Sequence, residues 1–315
     1  MISKASAPGK IILFGEHFVV YGVKAILASV DKRITVTSKK TDEKKIIIDS
    51  LFGNQNYSSD ADIESIKPEI QPIAYLAKKM INKFDWTGGI QIKIDSQLPP
   101  GVGLGSSSSS CVASAASISG LFEERPREDI LELAIDAERT IFPQTSGADC
   151  TVCTFGGIIE YQKDKDYEKI NAKPDFELVI LNSDTIHSTD KMVSQVREFK
   201  NTNPEMFLKL CEKETNLIEK AKQALRNNDS ANIGRIMKEN QSYLEEIGVS
   251  NQNLQNIVEF ANSKTFGSKL TGAGGGGCII SITNKNDLKT ITESFDRAKY
   301  KYWTAKLDFD GLIVE

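Results

Sequence analysis

A glycine- and serine-rich segment, residues 99–110, constrains the fold of this 315-residue chain more than any other feature of the sequence. In this first glycine segment Gly101, Gly103 and Gly105 alternate with other residues, and the serines lead into the small-residue run of 111–121. Alternate glycines let the backbone curl, and the run predicts a tightly packed helix. Because a helix start offers unpaired N–H groups, the segment predicts a polyphosphate cradle. The alternative is a flexible linker, against which the compact helix pattern argues.

A second glycine segment, residues 272–277, matches the G-x-G-x-x-G pattern of dinucleotide-binding folds. That pattern is informative where a strand leads into it and a helix follows. Here it precedes an apolar stretch, residues 278–282, that predicts a strand. We therefore interpret the second glycine segment as backbone that closely approaches a substrate or a nucleotide phosphate.

Two acids and a lysine add the chemistry that a phosphate cradle lacks. Asp149 lies in a predicted small-residue turn, Glu138 stands near the end of a predicted helix, and Lys10 opens an apolar strand. Metal-assisted phosphoryl transfer needs one group that holds Mg²⁺ and another that orients or deprotonates the attacking hydroxyl. The combination indicates a small-molecule kinase. Taken alone, each acid is more typical of a surface residue or a helix cap, and the lysine could simply extend to solvent.

The composition argues against several classes of protein. A net charge of -4 disfavours nucleic-acid binding, which needs a basic surface. The sequence contains neither an apolar run long enough to span a membrane nor the apolar core of a signal peptide near its start, so we expect a cytoplasmic protein that does not enter membranes. Five scattered cysteines suit a reducing compartment, and we interpret Cys150 and Cys153 as small buried residues of a strand.

The length and the order of the predicted elements indicate an α+β protein with two lobes. Among the predicted strands are one at residues 19–21 and one at residues 151–161, whereas helices dominate the second half. The charged stretch at 162–175 is the predicted connection between the lobes. It divides the chain into 1–170 and 171–315, with a ligand expected in the cleft between them.

Three motifs together resemble those of the GHMP kinases, the family of galactokinase, homoserine, mevalonate and phosphomevalonate kinases. They are Ala-Pro-Gly-Lys ending at Lys10, the first glycine segment, and Leu-Thr-Gly-Ala-Gly-Gly-Gly-Gly ending at Gly277. They occur in the family order and span nearly the whole chain. The resemblance implies the two-lobed GHMP kinase fold, with an N-terminal α/β lobe like domain 2 of ribosomal protein S5 and a C-terminal ferredoxin-like lobe.

The resemblance also implies roles for the motif residues. Asp149 would accept the proton of the substrate hydroxyl, and Lys10 would stabilise the γ-phosphate in the transition state. Ser107 and Glu138 would hold Mg²⁺, which bridges the phosphates of ATP. The ATP phosphates would be bound by Gly101, Gly103, Leu104, Gly105, Ser106, Ser107, Ser108, Gly272, Ala273, Gly274 and Gly275. The substrate pocket would be formed by Glu16, His17, Val20, Ser146 and Asp149.

Two segments bear on the substrate. Residues 15–22 are similar to the form found in the branch of the family that phosphorylates mevalonate, and residues 143–149 resemble that branch except for two residues between Pro143 and Ser146. The resemblance therefore implies mevalonate as the substrate, ATP as the phosphoryl donor and a place in isoprenoid biosynthesis. A phosphomevalonate or homoserine kinase and a non-catalytic nucleotide sensor stay open, as does a homodimer.

Overall fold

The computed structural model describes residues 1–99, 101, 103–163, 165, 167–185 and 188–315, so Pro100 and Val102 of the first glycine segment lie outside the described residues. The strands of the described part are β1 (Ile2–Phe14), β2 (Ala25–Thr41), β3 (Lys45–Ser50), β4 (Gly53–Ser58), β5 (Gly89–Ser96), β6 (Ile158–Tyr161), β7 (Glu168–Lys169), β8 (Glu177–Asn182), β9 (Gly267–Thr271), β10 (Cys278–Thr283), β11 (Tyr302–Ala305) and β12 (Ile313–Val314). Its α-helices are α1 (Gln71–Lys83), α2 (Ser106–Ser119), α3 (Arg127–Glu138), α4 (Ala148–Phe155), α5 (Thr189–Thr202), α6 (Pro204–Arg226), α7 (Ser230–Glu246), α8 (Gln252–Asn262) and α9 (Leu288–Arg297).

The first lobe is built on a mixed sheet with the strand order β12-β1-β2-β5-β3-β4. The long strands β1 and β2 are antiparallel neighbours, and β6 pairs with the start of β2. The strands β3 and β5 are parallel, and α1 lies in the connection between them, as a parallel pair requires. β1 continues on both sides of Lys10, so that lysine lies within the strand, opposite Ser29 of β2.

Small side chains allow α2 to lie directly on β1. The helix buries serines, alanines and Cys111, and its hydroxyl groups bond to the strand beneath: Ser109 Oγ donates to Ala7 O at 2.8 Å, and Ser117 Oγ donates to Ser3 O at 2.9 Å. A buried hydroxyl needs such a partner, because an unpaired one loses its hydration without replacement. These bonds fix the helix start, and with it the first glycine segment, over the strand that carries Lys10.

The second lobe contains an antiparallel sheet with the order β11-β8-β10-β9. Helices α5 to α8 connect β8 to β9, and α9 connects β10 to β11. This order of strands and helices is the ferredoxin-like arrangement, so the predicted two-lobed α+β fold is confirmed. The chain then returns to the first lobe, where β12 pairs with β1.

The prediction of a strand over 151–161 is wrong for its first half. Gly147, with a φ of 76°, starts helix α4, and Gly156, with a φ of 69°, ends it before β6 begins. The helix is buried nearly all round, so its apolar residues show no clear periodicity and resemble a buried strand. Cys150 and Cys153 are buried and free, as expected, but they lie on this helix.

The strand predicted at residues 19–21 is also wrong. Phe18–Tyr21 forms a short 3-10 helix, which ends at Gly22 with a φ of 91°. This turn buries Phe18, whose ring stacks on Phe207 of α6 at a centroid distance of 6.0 Å. Long-range packing of this kind overrides the local preference of valine and tyrosine for strands.

The division of the chain into 1–170 and 171–315 stays a prediction. The first sheet contains the strands up to β7 together with β12, and the second contains β8 to β11. A cut at 170 would thus place one strand of the first sheet in the second part. None of the helices in the described part combines the length and apolar character needed to span a bilayer.

Candidate active site

Lys10 and the first glycine segment are in direct contact. The backbone N–H of Lys10 donates to Leu104 O at 2.9 Å. Gly105 has a φ of 72°, and a Cβ atom there would lie 2.5 Å from Lys10 Cγ. Position 105 therefore requires glycine twice over, for its left-handed backbone and for the passage of the lysine side chain.

The start of α2 offers N–H groups to an anion. Gly105 occupies the N-cap position, where no described side chain caps the helix. The first-turn N–H groups, at residues 106–108, have no partner within an α-helix. They add to the positive end of the helix dipole, which favours a negatively charged ligand at this point.

Lys10 and Asp149 form an ion pair, with Lys10 Nζ 2.9 Å from Asp149 Oδ2. The two side chains differ in exposure: 7% for Lys10 and 35% for Asp149. Asp149 lies in the first turn of α4 and points its carboxylate to a partly open site, where it can accept a proton from a ligand. The pair is thus buried on one side and accessible on the other.

Glu138, the last residue of α3, is a buried carboxylate held by hydroxyl groups. Ser108 Oγ donates to its Oε1, and Thr145 Oγ1 donates to its Oε2 at 2.6 Å. Burial raises the pKa of Glu138, the two hydroxyl donors oppose the rise, and the nearby charge of Asp149 adds to it. No described lysine or arginine forms an ion pair with Glu138, so a cation bound here would supply the missing positive charge.

A polar cleft of about 1120 Å³ opens beside the start of α4. Val20 and Ser146, two of the predicted substrate-pocket residues, line it. Three basic side chains, Arg139, Lys163 and Lys165, line it as well. These three could not be predicted from the sequence, because surface lysines and arginines are common and their convergence depends on tertiary packing. Their charge suits a small anionic ligand.

A second, mainly apolar cavity of about 380 Å³ lies beside the first glycine segment. Gly101, Ser106 and Ser107 form its edge nearest the start of α2. Its apolar wall includes Ile34, Leu51, Phe52, Ile70, Ile73, Ile94, Leu98, Ile141 and Phe142. Phe52 and Phe142 are 46% and 55% exposed, and exposed aromatic side chains around a concavity are typical of a ligand site.

Residues from both lobes hold the second glycine segment. Gly275 N–H donates to Val249 O at 2.7 Å, and Asn251 Nδ2 donates to Gly275 O at 2.9 Å. From the first lobe, His17 Nε2 donates to Ala273 O at 2.8 Å. Burial lowers the pKa of His17, while the bond to Ala273 acts in the opposite direction. The predicted substrate residue His17 therefore joins the two lobes.

Thr271, at the end of β9, makes a second contact between the lobes. Its hydroxyl donates to Ile12 O at 3.0 Å and accepts from Ile12 N–H at 3.1 Å. The pairing of β1 with β2 is irregular between Ile12 and Phe14, so a side chain completes the bonds of Ile12. This contact lies two residues from Lys10. Only the proximity of Thr271 to the second glycine segment pointed to it in the sequence.

Glu16 makes the third contact between the lobes. Lys269 Nζ donates to Glu16 Oε1, and the side chains of both residues are fully buried. Burial raises the pKa of Glu16 and lowers that of Lys269, and each partner opposes the shift of the other. Glu16 was predicted to contact the substrate, whereas in this structure its carboxylate lies against a lysine inside the protein.

The structure brings together Lys10, Asp149 and the first glycine segment. It joins Glu138 to Ser108, whereas Ser107, the predicted metal ligand, is half-buried and lines the apolar cavity. Gly103 and Gly272 have positive φ angles and open space at their Cα atoms, as a close approach of backbone to ligand requires. The roles of these residues stay predictions.

Two family matches cover both lobes. Residues 72–157 match the family described as GHMP kinases N terminal domain, and residues 221–301 match GHMP kinases C terminal. Together the matches cover just over half of the 315 residues. The chain belongs to the GHMP kinase family, as the motifs predicted.

Similar proteins within the family have the name mevalonate kinase. The one from Pyrococcus furiosus is 33% identical, with 99% of this chain and 98% of the relative covered. The one from Aeropyrum pernix is 26% identical, with 99% and 98% covered. The crystal structure of the Methanococcus jannaschii mevalonate kinase superposes with a TM-score of 0.85 at 27% identity over 98% of each chain. The similarity therefore extends over both lobes.

Proposed function

We propose that this chain transfers the terminal phosphoryl group of ATP to the hydroxyl group of mevalonate. The observation that carries the proposal is the ion pair of Lys10 and Asp149. Lys10 passes Gly105 at the start of α2, and Asp149 lies in the first turn of α4, close in sequence to Ser146 of the basic cleft. A phosphoryl donor bound at the helix start and an alcohol bound in the cleft would both reach this pair. The relatives named mevalonate kinase support the choice of alcohol.

Each residue of the site has one task in this reaction. Asp149 accepts the proton of the substrate hydroxyl as that oxygen attacks the γ-phosphorus. Lys10 stabilises the negative charge that develops on the transferred group. The N–H groups of residues 106–108 bind the phosphates, and the apolar cavity beside them takes the nucleoside.

Glu138 is the residue best placed to hold Mg²⁺. The ion takes oxygen ligands and usually binds through one or two carboxylates plus the phosphates of the substrate. Glu138 offers a buried carboxylate that lacks an ion pair with any described residue, and Ser108 adds a hydroxyl beside it. When bound, Mg²⁺ would offset the charge of the phosphates. The assignment of Ser107 as a ligand stays a prediction alongside Ser108.

The cleft supports an acidic substrate. Mevalonate has a carboxylate at one end and the reacting hydroxyl at the other, so the basic residues Arg139, Lys163 and Lys165 can hold the first while Asp149 meets the second. The same three side chains would also suit the phosphate of phosphomevalonate, which makes a phosphomevalonate kinase the second candidate. A homodimer and a cytoplasmic location remain predictions from the sequence.

An assay of ADP release tests the proposal. The purified chain is supplied with ATP, Mg²⁺ and one of mevalonate, phosphomevalonate, homoserine or galactose. We expect the largest kcat/KM with mevalonate. Preferential turnover of phosphomevalonate would favour the second candidate, and hydrolysis of ATP without transfer to any of the four would contradict the proposal.

A further inference from the structure

A cluster of buried polar side chains lies where the two lobes meet, and its centre is Glu214 on α6. Around it are Glu16 from the turn after β1, Lys269 from β9 and Asn240 from α7. All four side chains are at most 1% exposed. Groups as polar as these stay buried only when charge and hydrogen bonds are balanced within the cluster.

The hydrogen bonds of the cluster leave three oxygen atoms without a partner. Lys269 Nζ donates to Glu16 Oε1 and, at 2.8 Å, to Leu270 O, while Asn240 Nδ2 donates to Glu214 Oε2 at 2.7 Å. Among the described residues, Glu16 Oε2, Glu214 Oε1 and Asn240 Oδ1 have no donor. All three are acceptors, so what the cluster lacks is a proton donor.

One proton corrects both the charge and the hydrogen bonds. Two ionised carboxylates beside a single ammonium leave one uncompensated negative charge in the interior, which is costly. A proton on Glu214 Oε1 removes that charge and turns one unpartnered acceptor into a donor, the kind of group that the cluster lacks. Glu214 is the better site for the proton than Glu16, because Lys269 bonds directly to Glu16.

The surroundings of Glu214 favour the neutral acid. Burial, together with the charge of Glu16, raises the pKa of Glu214 to about 8, against the opposing effects of Lys269, Asn240 and the backbone N–H of Gly15. Among the residues that the structure describes, Cys211 on its own helix and Tyr243 on α7 also feel the charge of Glu214. The pKa values of Cys211 and of Tyr243 are raised, so both are neutral at pH 7.

The turn that Glu16 belongs to needs such support. His17, the next residue, has a φ of 61°, a backbone conformation that residues other than glycine rarely adopt. Its bond to Ala273 and the bond of Thr271 to Ile12 join this turn and β1 to the second glycine segment. Lys10 lies on the same strand, so the position of the turn and β9 also sets the geometry of the cleft.

We propose that Glu214 is a positioning residue that acts as a neutral carboxylic acid and, through Glu16 and Lys269, holds the turn of the first lobe against β9 of the second. Its ionisation places two carboxylates beside one ammonium and loosens this contact, so the active site loses its alignment as the pH rises. The inference deepens the proposed function, on which it rests, because phosphoryl transfer is its main readout.

The test compares pH profiles of kcat/KM for mevalonate. Glu214→Gln keeps the shape and a hydrogen-bond donor but cannot ionise, and Glu212→Gln, on the exposed face of the same helix, is the matched control. We expect wild type and Glu212→Gln to lose activity about tenfold per pH unit above a pKa near 8, and Glu214→Gln to be fully active at pH 7 and to lack this loss. Equal alkaline losses in all three proteins, or a Glu214→Gln variant that folds but has under about a tenth of wild-type activity at pH 7, would overturn the proposal.

A second measurement needs neither a variant nor turnover. Wild-type protein with ¹³C-labelled glutamate carboxyl groups is titrated by NMR, and we expect one carboxyl signal to titrate near pH 8. If every glutamate titrates below about pH 6, the proposal is wrong even if the enzyme phosphorylates mevalonate. Failure of the proposed function would instead appear as an absence of turnover in wild type at every pH, with this NMR titration unchanged.

Discussion

Two buried lysines, each paired with an acid, show how similar ion pairs can serve different purposes. Lys10 meets Asp149, whose side chain is 35% exposed, whereas Lys269 meets Glu16, and both side chains of that pair are fully buried. Asp149, which solvent reaches, can exchange a proton with a ligand. Glu16, which is fully buried, is suited to a structural role. The exposure of the partner, rather than that of the lysine, thus separates the candidate catalytic pair from the architectural one.

The largest effect is expected at the accessible acid. Asp149→Asn removes the proposed proton acceptor while retaining size and hydrogen bonding, so kcat should fall by about 10²- to 10⁴-fold. Asp190→Asn, an exposed acid in the first turn of α5, is the control and should keep wild-type activity. Circular dichroism checks that both variants are folded. An Asp149→Asn enzyme with near wild-type kcat would remove the distinction between the two pairs.

The second prediction concerns stability and compares the two lysines directly. Lys269→Met leaves Glu16 as a buried carboxylate without its cation, so the free energy of unfolding should fall by about 3–5 kcal/mol. Lys10→Met should lower it by clearly less, because water reaches Asp149, while it should reduce kcat severely. Urea unfolding at pH 7 measures the first quantity. Equal losses of stability in the two variants would contradict the comparison.

The smallest effect on stability is expected at the contact of Thr271 with Ile12, which joins the two lobes. Thr271→Val keeps the shape of the side chain but leaves Ile12 N–H and Ile12 O without their partner, so unfolding should become easier by about 1–3 kcal/mol. Thr283→Val, at the other end of the neighbouring strand β10, is the matched control. The difference between the two variants in urea unfolding isolates the contact between the lobes. No difference would mean that Thr271 does not join the lobes energetically.

Much of the site could be predicted from local sequence, because each motif encodes its own backbone. Gly105 and Gly147 have positive φ angles at the starts of α2 and α4, and those two helix starts hold the first glycine segment and Asp149 in place. The strand that was wrongly predicted over part of α4 shows where local sequence is not enough. A helix buried nearly all round has no polar face, so periodicity could not distinguish it from a buried strand.

The cluster around Glu214 could not be predicted, because its members lie far apart in the chain and each is ordinary in its local context. Glu214 looks like one more acid on a charged helix, and Lys269 like one more lysine near a loop. Their burial depends on α6 packing against the turn after β1. The same holds for Arg139, Lys163 and Lys165, which meet in the cleft only after α3 and β6 take their places.

The sequence by itself determined the family, the two-lobed fold and the segments predicted to bind phosphate, since glycine patterns and helix starts are local properties of the backbone. The tertiary structure alone decided which charged residues are buried and which are exposed to solvent. That outcome depends on dehydration by neighbouring elements, and the energy of a charge changes by several kcal/mol between water and the protein interior. Lys10 and Lys269 are alike in sequence, and only packing makes the acids that they pair with differ in exposure.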